Sequence, residues 1–175
     1  RLYRVFPRGK KLRPIRDLTK LPSAELAAAL DTPNGTERDR VHLELLRRDD
    51  KAAAAPLVRL VRASALPAVR VQALCALAGL RALSADLLEA ALSDSHPAVR
   101  RHAIRLSEDV SSPTPHLNAA LLQLLGDADA NVRFQLALSL GRWDDQRAGE
   151  ALGRLAVAGF DDPWLRAAEL SSAIK

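Results

Sequence analysis

The stretch "LSDSHPAVRRHAI", residues 92–104, decides how this chain is read. Taken alone it admits three readings. His96 and His102 suggest a metal site, Arg100, Arg101 and the nearby Arg105 suggest a grip on phosphate, and the whole suggests one copy of a structural repeat. The local signals are helical. Pro97 suits the first position of a helix, where its missing N–H costs no hydrogen bond. Val99, Ala103 and Leu106 then recur at i, i+4 and i+7, which places them on one helix face.

Four further segments align with this one, without gaps, around an arginine. The aligned segments are 36–46, 68–80, 98–109, 131–143 and 164–174, and the shared residues are Arg38, Arg70, Arg100, Arg133 and Arg166. Their separations of 32, 30, 33 and 33 residues are near constant, which is the mark of duplication. Val69, Ala73 and Leu77 repeat the apolar spacing in the second copy, and Val132, Leu136 and Leu140 repeat it in the fourth. A second helical segment precedes each aligned one, at 23–30, 51–63, 84–92, 115–125 and 145–158, joined by turns containing Asp, Asn, Pro or Gly. Burying one Val or Leu fully contributes roughly 1.5–3 kcal/mol, and a lone hairpin has nothing to bury its stripe against. Stacked hairpins share one core. The sequence therefore predicts an all-α fold, an α–α superhelix of about five helix hairpins over residues 23–175. Residues 1–22 precede it as a basic extended segment.

Composition agrees. Hydrophobic residues make up 48% of the 175, mostly Ala and Leu, while aromatics are only 3%. Ala and Leu are strong helix formers, and strand formers are scarce. No apolar run approaches the ~18 residues of a membrane-spanning helix. The net charge of +5 is not spread evenly: residues 1–20 hold eight Lys/Arg against Asp17 alone, whereas the rest hold 18 basic and 20 acidic residues. The body is close to neutral and the basicity is a tail. That tail also carries Leu2, Tyr3, Val5, Phe6, Leu12 and Ile15, too many apolar residues for a solvated linker, and is predicted to dock on the body or on a neighbouring domain. A first residue of Arg and the lack of any Met suggest a segment of a longer protein.

The Leu-x-Asp-x-x-x-x-Val-Arg-x-x-Ala pattern in "LSDSHPAVRRHAI" and, in outline, in "LGDADANVRFQLA" (125–137) resembles the HEAT-repeat family in its short bacterial form. In each stretch an aspartate, Asp94 or Asp127, stands six residues before the arginine. In that family the Asp and Arg form a ladder that ties neighbouring repeats together. The resemblance thus implies a structural role for Asp94, Arg100, Asp127 and Arg133, and by register for Arg38, Arg70 and Arg166. Ser64 and Phe160 occupy the Asp position in the second and fifth copies, which implies a ladder interrupted towards its ends. Glu169 stands at an apolar position of the fifth copy, as in a solvated cap or an edge covered by further residues. "RLYRVFPRGKK" (1–11) is similar to the last strand and exit linker of bacterial sugar-dehydrogenase-like β-propellers. In some large exported proteins such a propeller is followed by a HEAT-like segment and a c-type haem domain, which implies a periplasmic or exported location and a redox-active parent.

No chemistry-bearing motif stands out in the chain itself. His96 and His102 are six apart rather than the i, i+4 of helical metal ligands. There is no Cys-x-x-Cys-His, no Gly-rich nucleotide loop and no Gly-x-Ser-x-Gly elbow, so no cofactor is expected. Cys75 lies in "QALCALAGL" and reads as a buried small hydrophobe. The sequence points to a non-catalytic interaction scaffold or interdomain spacer. Its partner would be a protein or a neighbouring domain, and Arg101, Arg105, Trp143 and Trp164 are its candidate surface. The alternative is a nucleic-acid-binding protein related to HEAT-like glycosylases of alkylated DNA bases.

Overall fold

The computed structural model describes residues 7–9, 14–110, 114–143 and 146–173. Among these are ten α-helices and no strand. The helices form five consecutive hairpins: α1 (Ser23–Ala28) with α2 (Gly35–Arg48), α3 (Ala54–Ala63) with α4 (Pro67–Gly79), α5 (Ala85–Leu92) with α6 (Pro97–Ser107), α7 (Pro115–Gln123) with α8 (Ala130–Leu140), and α9 (Gln146–Ala158) with α10 (Pro163–Ser172). Short 3-10 turns precede α3 (Lys51–Ala53) and follow α7 (Leu124–Gly126).

Local chemistry sets the helix starts. Pro67, Pro97, Pro115 and Pro163 each open a helix, where no backbone donor is needed. Side chains cap the first turns: Asn34 accepts from the Glu37 N–H, Ser84 from Leu87, Thr114 from Leu117, and Asp162 from both Trp164 and Leu165. Each satisfies a donor that the helix leaves open.

The second helices pack on one another in an unbroken series, α2–α4–α6–α8–α10, more closely than the first helices pack along their own side. The second helices thus form one layer, and the side of that layer turned away from the first helices is the inner face of the stack. Val69, Ala73 and Leu77, Val99 and Ala103, and Val132, Leu136 and Leu140 are all buried, whereas Leu106 is only half-buried. Leu74 and Ile104 are also fully buried, because an interior second helix meets neighbours on both sides.

Residues ahead of α1 are tied into the first hairpin. Leu18 is buried, and the Arg48 guanidinium donates to the carbonyls of Leu18 (2.6 Å) and Leu21 (2.5 Å) while its Nε donates to Glu44 (2.8 Å). Hydrogen bonds from Arg47, then Arg48, hold the Glu44 carboxyl at about 2. Ile15, predicted to dock, is instead 71% exposed, since the segment is anchored through Leu18. Leu2, Tyr3, Val5, Phe6 and Leu12 lie outside the described residues.

Candidate functional site: an arginine–carboxylate ladder and an inner helical face

The aligned arginines reach forward into the next hairpin. Arg70 on α4 donates through Nε and Nη2 to the two oxygens of Asp94 at 2.8 and 2.7 Å. Arg100 on α6 repeats this fork on Asp127 at 2.7 and 2.8 Å. A planar guanidinium matches a carboxylate in this two-point geometry, which fixes orientation as well as distance. The remaining Nη1 turns back to the arginine's own hairpin, to the carbonyl six residues earlier: Arg70 to Ser64 (2.8 Å), Arg100 to Asp94 (2.8 Å). Each aspartate also accepts a backbone N–H two residues on, from His96 (2.8 Å) or Asp129 (2.9 Å). One short carboxylate thereby orders its own turn and receives the preceding repeat. Burial alone would raise the Asp94 and Asp127 carboxyls. The arginine forks and the backbone N–H groups outweigh it and hold both below the usual carboxylate value.

The outer joints differ. Arg38 keeps the return bond to Thr32 (2.8 Å), but with Ser64 at the Asp position its Nε goes to Gln72 (2.9 Å). Ser64 is there bonded to Asp31 (2.7 Å). Arg133 keeps its carbonyl bond to Asp127 (2.6 Å) and pairs with no carboxylate among the described residues; Phe160 stands at the Asp position of the repeat. Arg166 is exposed, and its side chain makes no hydrogen bond to any described residue. A second set of polar ties escaped the sequence reading. Glu108, at the end of α6, accepts from Ser139 Oγ (2.5 Å) and pairs with Arg142 (3.5 Å), both of the following hairpin. Nothing in the repeat pattern marks Glu108, since it recurs in no sister segment.

The four candidate surface residues do not form one patch. Arg101 (half-buried) and Arg105 (exposed) lie on the inner face of α6. Around them on the same face are half-buried Val71 and Cys75 of α4, half-buried Phe134 and exposed Leu138 of α8, and the exposed Leu43 of α2. Trp164 opens α10 at the register position of Ala98 and Asn131 and is 75% exposed. Trp143 instead packs against the core after α8 and lines a cleft against α9 and α10.

The histidines have structural surroundings. The ring of His96 caps α6 by accepting the Ala98 N–H (3.2 Å). Burial first, then Arg101 and Arg105, pushes the His102 pKa down. Cys75 is half-buried rather than fully so, and burial raises its thiol. Among the described residues no three His, Cys, Asp or Glu side chains converge as metal ligands, and no helix is long and apolar enough to cross a membrane. Glu169 is buried rather than solvated (6% exposed), with Oε1 lacking a hydrogen-bond partner among the described residues.

A family profile described as HEAT repeats matches residues 84–173, which span the third to fifth hairpins. No curated protein matches the chain.

Proposed function

The chain belongs to the HEAT-repeat family, and from that premise we propose that it is a non-catalytic protein-interaction scaffold that binds through the inner face of its second helices. One observation carries this reading. Apolar side chains from the two second helices that flank α6 (Val71 and Cys75 of α4, Phe134 and Leu138 of α8) border Arg101 and Arg105 on one face. Contiguous apolar surface of this kind marks interaction sites, whereas singly scattered apolar residues do not. The chemistry suits a protein segment, from a partner or a neighbouring domain, that offers apolar side chains and one or two carboxylates.

A nucleic acid fits this face poorly. Backbone recognition needs several cations that track the phosphates, and here two arginines from one helix are bordered by apolar groups. The test is site-specific photo-crosslinking in cells. A photoreactive residue at Arg105 or Leu138 should give discrete protein adducts, and one at Arg59 or Ala119, exposed on first helices, should not. Equal adducts from both layers would reject the inner face. Retention on heparin by protein lacking residues 1–20 would favour the nucleic-acid alternative.

The finer context is also proposed: a segment of a larger exported bacterial protein, between a dehydrogenase-like propeller and a c-type haem domain. Its support is the similarity of residues 1–11 to a propeller exit strand. The upstream and downstream reading frame tests it. A propeller before Arg1 and a Cys-x-x-Cys-His after Lys175 would uphold it, and their absence would discard it.

A further inference from the structure

The repeat register sorts the inner face into two rows of side chains. One residue after the aligned arginines stand Asp39 of α2, Val71 of α4, Arg101 of α6 and Phe134 of α8. Four residues further on stand Leu43, Cys75, Arg105 and Leu138. Across these rows α2 contributes a negative charge, α4 none and α6 two positive charges. The acidic end is a groove of about 490 Å3, lined by Asp39, by Pro67, Val71 and Gln72 of α4, and by Ala98 and His102 of α6. Gln72 holds the Asp39 carboxylate in place. Its amide oxygen accepts from Arg38 Nε (2.9 Å), and its amide nitrogen donates to Asp39 Oδ1 (2.7 Å). Oδ2 receives no hydrogen bond among the described residues.

Neither end is neutralised from within. The two arginines beside Asp39 in sequence are engaged elsewhere, Arg38 with Gln72 and the Thr32 carbonyl, Arg40 with the Arg16 carbonyl. Asp39 therefore pairs with no cation among the described residues. Burial, then Arg101 and Arg105, hold the His102 pKa below its ordinary 6.5, so it adds no charge to the groove at neutral pH. At the basic end, Arg101 and Arg105 lie one turn apart, and neither side chain bonds to any described residue. Like charges at this spacing repel, and a carboxylate set between them relieves the repulsion. Val71 and Cys75 form the uncharged stretch between the two ends. A ligand of one charge sign is attracted at one end and repelled at the other. The face is complementary to a ligand that carries both signs.

We propose that the inner face takes a two-signed segment of a partner protein: a Lys or Arg side chain sits in the Asp39 groove, a carboxylate sits on Arg101 and Arg105, and apolar side chains lie over Val71 and Cys75. This rests on the inner-face scaffold reading and adds the partner's charge order. Packed helices stand about 8–10 Å apart, so the partner's two charges are roughly 16–20 Å apart, the reach of about five or six extended residues. Three capped fluorescent peptides of one length test it, each with two charges about six residues apart on a common Ser/Leu background: Lys with Glu, Glu with Glu, and Lys with Lys. Anisotropy with the full chain at neutral pH should show the Lys/Glu peptide binding about three- to fivefold tighter than either of the others, the scale of exposed ion pairs. Asp39→Asn should erase that preference, and Asp39→Lys should transfer it to the Glu/Glu peptide. Arg105→Glu should also erase it. Asp39 and Arg105 are exposed, so circular dichroism should be unchanged in these variants. Arg59→Glu, on the first helix α3, should leave the order of affinities as it is. Equal affinities, a preference for a peptide of one sign, a Lys/Glu preference that survives Asp39→Lys, or no binding of any peptide would each overturn the proposal. Photo-crosslinking from Arg105 and Leu138 judges the inner face separately. Discrete adducts there without a Lys/Glu preference would reject the charge order and leave the scaffold reading standing.

Discussion

Where the third hairpin meets the fourth, Arg100 places two hydrogen bonds on Asp127, whose side chain is only 5% exposed, and Glu108 adds a second tie through Ser139. Where the fourth meets the fifth, among the described residues Arg133 finds carbonyl oxygens only and Glu169 is buried with an unpaired oxygen, while Phe160 stands at the Asp position of the repeat. The helical packing is common to both joints, since α6–α8 and α8–α10 are in equally close contact. The difference teaches that apolar packing alone is enough to stack a hairpin. The ladder adds directional polar contacts that set one hairpin's orientation on the next.

The most severe way to break the first joint is through its packing. Val99→Asp puts a charge at a fully buried position and should lower the unfolding free energy by on the order of 4 kcal/mol or more, read by urea titration. Next comes the ladder. Arg100→Ala should cost about 1.5–3 kcal/mol and Arg133→Ala about 1 kcal/mol, since the second forfeits no carboxylate contact. Equal costs would erase the distinction between the joints. The fifth hairpin depends on close approach instead. A Cβ at Gly141 would lie 2.6 Å from Ser172 Cβ and 2.8 Å from its Cα, so Gly141→Val should cost about 1–3 kcal/mol by forcing α10 outward.

A gentler probe is pH, because the two regions titrate with opposite sign. The ladder carboxyls Asp94 and Asp127 are depressed in the folded state. Their contribution is present above the ordinary value of 3.8 and is lost as pH falls through their folded values. Glu169 is raised, by burial first and then by Asp162, so the folded chain keeps a proton that the unfolded chain has released. Stability therefore declines as pH rises from 4.5 towards the folded value of Glu169. Glu169→Gln should gain about 1 kcal/mol at neutral pH and remove that decline while leaving the acid-side loss in place. An unchanged pH profile would show that Glu169 is solvated. The smallest effect belongs to Arg105→Ala, an exposed inner-face position, which should stay within about ±0.5 kcal/mol in thermal melts.

Much of the fold was legible in the chain. The five-fold spacing of the arginines located all five second helices, and Val69, Ala73, Val99, Val132 and Leu136 identified themselves as core by helical periodicity. The exposure of the candidate surface residues was legible only in part. Arg105 and Trp164 are exposed on second helices, but Arg101 is half-buried and Trp143 belongs to the end cleft. Periodicity assigns a residue to a face of its own helix and says nothing about the neighbour that covers it.

By itself, then, the sequence determined the all-helical plan, the hairpin count and the register. These follow from local rules: proline at a helix start, capping side chains, and apolar residues every three or four positions. Only the tertiary structure decided which arginine finds a carboxylate, that Glu108 ties α6 to the following hairpin, that Glu169 is buried rather than solvated, and that Trp143 and Trp164 are separated. Each of these depends on contacts between residues brought together by stacking, such as Arg70 with Asp94 and Gly141 with Ser172. Burial and charge pairing are properties of that assembled neighbourhood, and no single helix carries them.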